Sequence, residues 1–222
     1  MKPGRRVVVI LTKWPRPGQG KRRLGRDIGF ARAALLARAF LADTLTLVAR
    51  STPDQLVIAY APRRSQGRFA DAAPGAVLVP QPRGAFGARL EQALAAGLAL
   101  GDRVVLIGSD SPTISPLTVR AAFARLDQAD CVIGPSEDGG YYLIGCRRPL
   151  PETLFGAIPW STPAVLATTL ARARDARLRV ARLRRSYDVD DATGLQRLLG
   201  DRTGLSRSAA TRSALQSFGW TA

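Results

Sequence analysis

Short, continuously apolar runs alternate with longer amphipathic stretches along most of this sequence, and that alternation restricts the fold more than any other feature. The apolar runs predict strands at residues 7–12, 56–60, 77–79, 104–107, 131–133, 141–146 and 179–183. The amphipathic stretches predict helices at residues 30–50, 89–100, 116–126, 162–174 and 191–199. Continuously apolar strands that are separated by helices pair in parallel with both faces covered. We therefore predict an α/β sandwich.

Length and composition fit one domain with a single core. The chain has 222 residues, of which 46% are apolar, and this is ample for one core. We place this domain at residues 1–200 and predict that segment 201–222 is a basic tail with room for one helix around 206–218. No apolar run reaches the roughly 18 residues of a membrane span, and the run at 7–11 is too short for a signal peptide. We therefore expect a cytoplasmic protein.

The charge balance is strongly basic, with 33 Lys and Arg against 17 Asp and Glu, a formal net charge of +16. Such a balance suits anionic ligands or nucleic acid. The arginines are scattered, as over residues 172–185, and form no stripe interleaved with aromatic residues, so we predict neither nucleic acid nor membrane as a partner. The chain has no histidine, and Cys131 and Cys146 lack metal-ligand spacing, so any metal must be held by oxygen.

A glycine-rich, acidic segment at residues 134–145 is the most unusual stretch of the sequence. It reads Gly-Pro-Ser-Glu-Asp-Gly-Gly-Tyr-Tyr-Leu-Ile-Gly and joins two of the predicted strands. Gly139 and Gly140 permit positive φ and a close approach of the backbone to a ligand. We interpret the segment as a ligand-facing hairpin, and the alternative is an ordinary hairpin turn built on Asp-Gly.

The loop after the first predicted strand is basic. In open α/β sheets ligands bind beyond the carboxyl ends of the strands, so such loops are the candidate site. Loop 13–24 carries five cations, which are Lys13, Arg16, Lys21, Arg22 and Arg23. Its glycines free backbone amides that can bind a di- or triphosphate beside these cations. It has neither the ending of a P-loop nor the spaced glycines of a dinucleotide fingerprint, and a solvated basic loop is the alternative.

Carboxylates follow two other predicted strands. Asp110 stands in Gly-Ser-Asp-Ser-Pro, and Asp188 and Asp190 project to one side if their segment is extended. Hard divalent ions prefer oxygen ligands and often take one or two carboxylates together with substrate phosphates. We predict that Asp110, Asp188 and Asp190 bind Mg²⁺ or Mn²⁺. Capping of helix 191–199 is the alternative role for Asp190 and Asp191.

Two further loops offer ligand contacts. In loop 81–89 glycines precede a helix, and Arg89 in its first turn could read a base or clamp a phosphate. A surface arginine on an amphipathic helix is the alternative. Trp160 precedes a predicted helix start, where Ser161 or Thr162 can serve as the cap. Trp160 itself is either a wall of an acceptor pocket or a core residue.

Taken together, these segments resemble the GT-A-superfamily transferases called radical-SAM/selenodomain-associated transferase 1, a family linked by name to arsenosugar biosynthesis. The family's pattern Lys-x-Pro-x-Pro-Gly-x-x-Lys-Thr-Arg-Leu is met by Lys13, Pro15, Pro17, Gly18, Lys21, Arg23 and Leu24. Further matches follow in the family's order at residues 108–112, 134–145, 160–162 and 188–190, so that the resemblance covers residues 7–199. The sequence departs from the pattern at Arg22, Phe86 and Ala88.

The resemblance implies a Rossmann-like GT-A nucleotide-diphospho-sugar transferase fold, in three layers, with a mostly parallel sheet and a β-hairpin insertion. It implies catalytic roles for Lys21, Arg23, Asp110, Glu137 and Asp138, of which the last two would orient or deprotonate an acceptor. The residues implied to bind the nucleotide donor are Lys13, Pro17, Gly18, Lys21, Arg23, Gly87, Arg89 and Ser109. Those implied to bind the acceptor are Gly139, Gly140, Tyr141, Trp160 and Ser161.

We therefore predict a metal-dependent transferase with a nucleotide-activated donor and a small-molecule acceptor. In the first interpretation the donor is a nucleotide sugar, and the metal and basic loop stabilise the departing nucleoside diphosphate. In the second, which is nucleotidyl transfer as in the phospholactate guanylyltransferases, Lys21 and Arg23 neutralise a triphosphate and pyrophosphate leaves. A non-catalytic nucleotide-binding protein is the third interpretation, and a homodimer is left open.

Overall fold

A single sheet organises the part of the chain that the structure describes. The structure is a computed structural model, and it describes residues 4–220. The strands within these residues are β1 (Arg6–Lys13), β2 (Gln55–Ala61), β3 (Val77–Pro80), β4 (Arg103–Ile107), β5 (Cys131–Pro135), β6 (Tyr141–Cys146) and β7 (Val180–Arg182). They lie side by side in the order β3-β2-β1-β4-β6-β5-β7.

Helices connect most of these strands. The α-helices within residues 4–220 are α1 (Arg22–Ile28), α2 (Phe30–Ser51), α3 (Gln66–Ala72), α4 (Phe86–Leu98), α5 (Pro116–Arg125), α6 (Val165–Asp175), α7 (Ala192–Gly200), α8 (Arg202–Arg207) and α9 (Ala209–Ser217). Short 3₁₀ turns lie at Arg63–Ser65 and Glu152–Leu154. Among the same residues, no helix is long and apolar enough to cross a membrane.

The sheet is mostly parallel, as the apolar pattern predicts. β1 pairs in parallel with β2 and β4, β2 pairs in parallel with β3, and β5 pairs in parallel with β7. β6 is antiparallel to both of its neighbours, because it is the return strand of a hairpin with β5 and also pairs with β4. Segment 134–145 is therefore a hairpin, and β6 lies between β4 and β5 in the sheet.

Helices cover both faces of the sheet, which gives the predicted three-layer α/β fold. Side chains alternate along a strand, so successive residues of β1 enter different cores. Val7 and Val9 are fully buried in a core that contains Leu90 of α4. Val8 and Ile10 are fully buried in the core formed with α2 and α5. This burial on both faces explains why the strands are continuously apolar.

Segment 201–222, which the sequence predicts to hold one helix, contains two within its described part, α8 and α9. Ser208 separates them, because its backbone is not helical. The Asp43 carboxylate of α2 accepts hydrogen bonds from the backbone N–H groups of Ala210 and Thr211, at 3.0 and 2.7 Å. These bonds fasten the start of α9 to α2. The division of the chain at residue 200 stays a prediction.

The remaining differences between prediction and structure concern two short helices and the start of α6. α1 and α3 are absent from the sequence prediction, because each has seven residues, too few for an amphipathic period to stand out. α6 begins at Val165 instead of residue 162, and no side chain caps it. The Thr162 hydroxyl accepts a hydrogen bond from Ala164 N at 3.3 Å in the turn before the helix. The predicted cap at Ser161 or Thr162 is therefore wrong.

Candidate active site

A cleft of about 550 Å³ opens beyond the carboxyl ends of β1 and β4, where ligands bind in sheets of this kind. Its charged lining residues are Lys13, Arg16, Lys21, Arg89, Asp110, Asp138, Asp188 and Asp190. Its aromatic lining residues are Phe86, Tyr141, Tyr142 and Trp160. A volume of this size and a mixed lining suit a small-molecule ligand.

A tight turn shapes the loop after β1. Gln19 N donates a hydrogen bond to Arg16 O at 3.0 Å, and Gly18 at the corner has φ 73°. A type II turn takes proline and then a residue with positive φ at its two central positions, which are Pro17 and Gly18 here. Neither residue is among those that line the cleft. They shape the basic loop from outside the cleft lining, and their predicted contact with the donor stays a prediction.

Lys21 stands at the end of this loop and is largely buried. Its backbone has φ 45° and ψ 41°, in the left-handed region that residues other than glycine seldom adopt. Its side chain is 6% exposed, and Nζ contacts Asp110 Oδ1 at 2.8 Å and also contacts Asp190 Oδ1. Burial acts to lower the pKa of Lys21, but the two carboxylates outweigh it and raise that pKa. The ammonium group is therefore charged at neutral pH and joins acids from two loops.

Cations contact Asp190 on both of its carboxylate oxygens. Lys21 contacts Oδ1, and Arg23 Nη2 lies 3.5 Å from Oδ2. Burial acts to raise the pKa of Asp190, yet Lys21 and then Arg23 hold it below its ordinary value. The Arg23 side chain is 65% exposed and is not among the cleft-lining residues. Arg23 therefore positions Asp190 from outside the cleft.

Backbone hydrogen bonds fix the acidic loops relative to one another. Val189 N donates to Asp110 O at 2.9 Å, and Leu24 N donates to Asp190 O at 3.0 Å. Asp191 caps α7, and its carboxylate accepts a backbone hydrogen bond in the first turn of that helix. The capping role that the sequence left open between two neighbouring aspartates thus belongs to Asp191, and Asp190 faces the cleft.

Asp188 lies in a local surplus of negative charge. Burial and then the charges of Asp190 and Asp138 raise its pKa to about 6, while Lys21 opposes this shift only in part. Among residues 4–220, no three His, Cys, Asp or Glu side chains are grouped closely enough to hold a metal ion. The predicted set of Asp110, Asp188 and Asp190 is therefore not a pre-formed metal site, because Lys21 Nζ bridges two of its members.

The same surplus of negative charge fits a cation that brings further ligands with it. Mg²⁺ and Mn²⁺ often take one or two protein carboxylates and complete their coordination with substrate phosphates and water. Asp110, Asp188 and Asp190 all line the cleft beside the basic loop that could hold such phosphates. These residues fit a divalent ion that is bound together with a phosphorylated ligand.

The mouth of the cleft beside loop 13–24 is basic. Partial desolvation and then the like charges of Arg64 and Arg68 lower the pKa of Arg16. Arg68 also lies over the ring of Trp14, with its guanidinium carbon 5.6 Å from the ring centroid. Clustered like charges of this kind favour a polyanionic ligand such as a di- or triphosphate.

The β5–β6 hairpin directs its two acids to different places. Asp138 lines the cleft, and its Oδ1 accepts a hydrogen bond from Gly140 N at 2.9 Å. Glu137 forms an ion pair of 2.7 Å with Arg197 on α7 and is not among the lining residues. The two neighbouring acids, which the sequence could not distinguish, therefore have different surroundings.

Two glycines from the predicted ligand-binding set lie at tightly packed points of the protein. Gly139 has φ 89°, and a Cβ at this position would collide with the backbone of Pro163. A Cβ at Gly87 would lie 2.6 Å from the carbonyl oxygen of Phe155. Neither glycine is among the cleft-lining residues. Both permit close approach of two segments of the protein to each other.

The other end of the cleft is aromatic. The rings of Phe86 and Trp160 meet edge to face with centroids 4.8 Å apart, and the Tyr141 ring lies 6.4 Å from Trp160. The Arg89 guanidinium carbon is 5.7 Å from the Phe86 centroid. Tyr141 and Trp160 pack against the core of the α4 and α6 face, whereas Lys21 lies beside α2 on the other face. The cleft thus crosses the edge of the sheet from one face to the other.

The cleft has two parts of different chemistry. The charged end consists of Lys21, Asp110, Asp188 and Asp190. The aromatic end consists of Phe86, Arg89, Tyr141 and Trp160. The two groups of residues come from opposite faces of the sheet and meet only in the folded protein, so their positions in the sequence do not show that they share one cleft.

The cleft brings together two thirds of the residues that the sequence nominates. Those that line it are Lys13, Lys21, Arg89, Ser109, Asp110, Asp138, Gly140, Tyr141, Trp160, Ser161, Asp188 and Asp190. Those outside its lining are Pro17, Gly18, Arg23, Gly87, Glu137 and Gly139.

Gln81 is a lining residue that the sequence analysis did not single out. Its Nε2 donates hydrogen bonds to Thr12 O and Ala59 O, both at 2.8 Å, and these bonds fix the orientation of the amide. Its position one residue after β3 is the signal that could have identified it.

Solved structures share this architecture. A protein of Desulfovibrio desulfuricans G20, provisionally named a nucleotide-diphospho-sugar transferase, is 33% identical, with a TM-score of 0.88 over 96% of this chain and 95% of that chain. Rv0371c of Mycobacterium tuberculosis H37Rv, in complex with manganese, is 22% identical, with a TM-score of 0.55 over 88% and 98%. The 4-diphosphocytidyl-2C-methyl-D-erythritol synthase of Anaerococcus prevotii DSM 20548 is 13% identical, with a TM-score of 0.54 over 86% and 95%. The last two are likenesses of fold alone.

Sequence comparison assigns the family. No curated protein matches this chain. Residues 44–162 match the model of DUF2064, which is described as an uncharacterized protein conserved in bacteria. The matched segment contains Arg89, Asp110 and the β5–β6 hairpin, whereas loop 13–24 and Asp188 lie outside it. With this match and the 33% identity to the Desulfovibrio protein, the chain belongs to the DUF2064 family and has the fold of the nucleotide-diphospho-sugar transferases.

Proposed function

We propose that this protein is a metal-dependent transferase that moves a sugar from a nucleotide sugar to a small-molecule acceptor. The main support is the buried Lys21 ammonium group, which joins Asp110 and Asp190 at the carboxyl edge of the sheet. The provisional name of the 33% identical Desulfovibrio protein supports the same class of reaction. The motifs of loop 13–24 and the hairpin support membership of the radical-SAM/selenodomain-associated transferase 1 subgroup.

The basic loop is assigned to the donor phosphates. Lys13, Arg16 and Lys21 all line the cleft, as does Ser109, whose hydroxyl is 2.8 Å from the Thr12 hydroxyl. Charge-assisted hydrogen bonds from such groups bind phosphate strongly. Cations that are already fixed in place also stabilise the negative charge that develops on a departing diphosphate.

A divalent ion, Mg²⁺ or Mn²⁺, fits the charged end when it is bound together with the donor. Asp110 and Asp190 would hold it, with Asp188 beside them. When bound, such an ion neutralises charge on the donor phosphates. The manganese complex of Rv0371c, a protein of the same fold, supports this class of ion. Lys21 keeps the two carboxylates of Asp110 and Asp190 in position.

The acceptor is assigned to the region beside the β5–β6 hairpin. In the transfer, an acceptor hydroxyl oxygen forms a bond to the anomeric carbon of the sugar. The bond from that carbon to the diphosphate oxygen breaks, and the nucleoside diphosphate leaves with the electron pair. The hydroxyl proton is assigned to Asp138, the hairpin carboxylate that lines the cleft. Glu137, paired with Arg197, is assigned to anchoring the hairpin.

Nucleotidyl transfer is the second candidate, and the density of positive charge around loop 13–24 favours it. Arg64 and Arg68 lie close enough to Arg16 to lower its pKa after partial desolvation, and this much charge also suits a triphosphate. In that reaction a substrate phosphate oxygen forms a bond to the α-phosphorus of the nucleotide. The bond from the α-phosphorus to the bridging oxygen breaks, and pyrophosphate leaves with the electron pair.

Ligand-induced stabilisation and product release, measured together, test the proposal. The protein is combined with nucleotide sugars and with nucleoside triphosphates, each with and without Mn²⁺. Its melting temperature and the released nucleoside diphosphate or pyrophosphate are then measured. We expect a metal-dependent rise in melting temperature with a nucleotide sugar, because ligands that bind the native state stabilise it. We also expect Asp110→Asn to abolish that rise.

Asp175→Asn is the matched control, since Asp175 ends α6 with a side chain that is 74% exposed. This variant should respond to ligands as the wild type does. Stabilisation by triphosphates with release of pyrophosphate would favour the second candidate. Binding of nucleotides without release of either product would favour a non-catalytic nucleotide-binding protein, and the lack of any binding would overturn all three interpretations.

A further inference from the structure

The aromatic end of the cleft contains an arginine whose donors are not satisfied by the protein. Within residues 4–220, Arg89 Nε is buried and has no hydrogen-bond partner. Within the same residues the Arg89 guanidinium forms neither an ion pair nor a side-chain hydrogen bond, in contrast to Arg23 and Arg197. Buried polar groups of native proteins are nearly always hydrogen-bonded, so an exception beside a cleft indicates a place for a ligand.

The surroundings of Arg89 restrict what this ligand can be. Its guanidinium lies over the ring of Phe86, and this cation–π contact holds the donors beside the aromatic residues. The Phe86 and Trp160 rings and the Tyr141 ring form one contiguous aromatic wall. Leu90, which is 1% exposed, completes the apolar lining. A planar fork of donors against apolar walls matches a carboxylate or phosphate group carried on an apolar or aromatic body.

The position of Arg89 separates it from the groups assigned to the donor. Lys21 lies on the α2 side of the sheet, over the ring of Phe40. Arg89 lies on α4, beside residues that pack against the core of the opposite face. Tyr141 adds no charge to this end, because burial raises the pKa of its phenol and keeps it neutral. The donor phosphates have cations of their own in loop 13–24, so Arg89 is available to a second substrate.

We propose that the aromatic end binds the acceptor, and that the acceptor carries an oxyanion, either a carboxylate or a phosphate, which pairs with Arg89. This inference rests on the proposed transferase function and names the chemical class of its second substrate. Trp160, Phe86 and Tyr141 contact the apolar body of that substrate. Arg89 is reassigned by this inference from the donor, where the family resemblance placed it, to the acceptor.

Small probes that differ in charge test the inference. Benzoate and phenyl phosphate carry the two oxyanions on the same ring, and benzamide is their neutral counterpart. Their binding is measured by calorimetric titration and ligand-observed NMR with wild type, Arg89→Gln and Arg83→Gln. Arg83 is the matched control, because it lies exposed in the loop before α4 and is not among the lining residues.

We expect one of the anions to bind wild type at least tenfold more tightly than benzamide, and its identity distinguishes carboxylate from phosphate. Arg89→Gln should weaken that anion at least tenfold, whereas Arg83→Gln should leave it unchanged. Arg89→Lys keeps the positive charge without the planar fork of donors and should bind the anion with intermediate affinity. This variant tests the inference if Arg89→Gln does not fold. Equal binding of benzamide, failure of both anions to bind, or full affinity in Arg89→Gln would overturn the inference.

A competition experiment separates this inference from the proposed function. A nucleoside diphosphate with Mn²⁺ is titrated into the protein saturated with the bound anion. We expect both to bind at once, and displacement of the anion would return Arg89 to the donor and overturn the inference. If no nucleotide binds while anion binding still requires Arg89, the transferase function fails and the oxyanion site stands. If nucleotides bind and no anion does, the oxyanion site fails and the transferase function stands.

Discussion

The charged end and the aromatic end of the cleft differ in how their polar groups are satisfied. At the charged end Lys21 contacts both Asp110 and Asp190, and Arg23 supports Asp190 from outside. At the aromatic end Arg89 Nε is buried without a hydrogen-bond partner among residues 4–220. Groups that are already paired need no reorganisation when a ligand arrives, whereas an unpaired buried donor gains a partner on binding. One end is therefore organised by the protein itself, whereas the other leaves, within residues 4–220, a hydrogen-bond donor free for the acceptor proposed above.

Replacing Lys21 with methionine should have a greater effect on activity than any of the substitutions that follow, because it removes the cation that organises the charged end. Methionine retains an apolar stem but leaves Asp110 and Asp190 without their shared counter-charge. We expect turnover of the donor to fall roughly 100- to 1,000-fold, as when a pre-organised group that stabilises charge is removed. The free energy of unfolding should fall by about 1–3 kcal/mol, less than for a fully buried pair, since both carboxylates are partly exposed. Steady-state kinetics and urea unfolding measure the two effects.

Arg197→Met is the control for this substitution. It removes a cation whose side chain is 53% exposed and which pairs with Glu137 outside the cleft lining. Its turnover should remain within about threefold of wild type, as expected for surface ion pairs. Wild-type turnover in Lys21→Met would show that the charged end does not act on the donor.

The hairpin provides a comparison between two adjacent acids. Asp138→Asn should lower kcat roughly 100-fold, at the lower limit of what a lost general base causes. Glu137→Gln should change kcat by about threefold or less, because an exposed ion pair contributes little. Both variants change one oxygen to nitrogen and leave the volume the same, so each is the control for the other. An equal loss in the two would contradict the assignment of the acceptor proton to Asp138.

Trp160→Ala tests whether the aromatic end binds the acceptor and not the donor. This ring contacts both Phe86 and Tyr141, so its loss opens the wall assigned to the acceptor. We expect the KM for the acceptor to rise about tenfold, in keeping with the energy of aromatic contacts plus lost burial. The KM for the donor should stay within about twofold. Trp220→Ala, which removes a ring that meets Phe218 edge to face elsewhere in the molecule, is the control. A matching rise in the KM for the donor in Trp160→Ala would contradict the division of the cleft.

The pH dependence of stability tests the surplus of negative charge at the charged end. We expect only a small change in the melting temperature. The pKa of Asp188 is about 6 in the folded protein against an ordinary value of 3.8, through burial and then the neighbouring acids. Between these values the folded state keeps a proton that the unfolded chain has lost, so the free energy of unfolding falls as pH rises. Asp188→Asn removes the titrating carboxyl group and with it this fall in the free energy of unfolding. We expect its melting temperature to exceed that of wild type by a few degrees at most at pH 7.5.

Thermal unfolding of wild type, Asp188→Asn and Asp175→Asn from pH 3.5 to pH 7.5 measures this difference. The melting temperature of Asp188→Asn should begin to exceed that of wild type above about pH 4, and the difference should be greatest above about pH 6. Asp175→Asn should follow the wild type, because its carboxylate is exposed. A difference that shrinks as pH rises would contradict the surplus of negative charge.

Much of the architecture was readable from local sequence, because burial and backbone preference act over a few residues. The fully buried runs in β1 and β4 had to be continuously apolar, and this pattern alone located them. The same reasoning placed Asp110 just after β4, where a proline-containing segment ends the strand. It did not indicate that β6 also pairs with β4, since an apolar strand looks the same whether its neighbours are parallel or antiparallel.

The site itself was predictable only in its residue types. The sequence nominated Lys21, Asp110 and Asp190 for separate roles in phosphate and metal binding, and the fold joins them in one ion-paired cluster. It nominated Glu137 and Asp138 equally, and the hairpin turns Asp138 alone to the cleft lining. These outcomes depend on side-chain direction, which a change of one residue reverses in an extended segment.

The local sequence was enough to predict the α/β class, the hairpin at 134–145 and the loops in which polar residues follow strands. Which of those polar residues share the cleft, and which of them are already paired, depends on how the strands and helices pack together. The apolar pattern of a strand and the residues of a turn are local features of the chain, whereas ion pairs such as Lys21 with Asp190 join residues that only folding brings together. The unpaired Arg89 is a property of the same kind, because the lack of a partner is defined by everything packed around it.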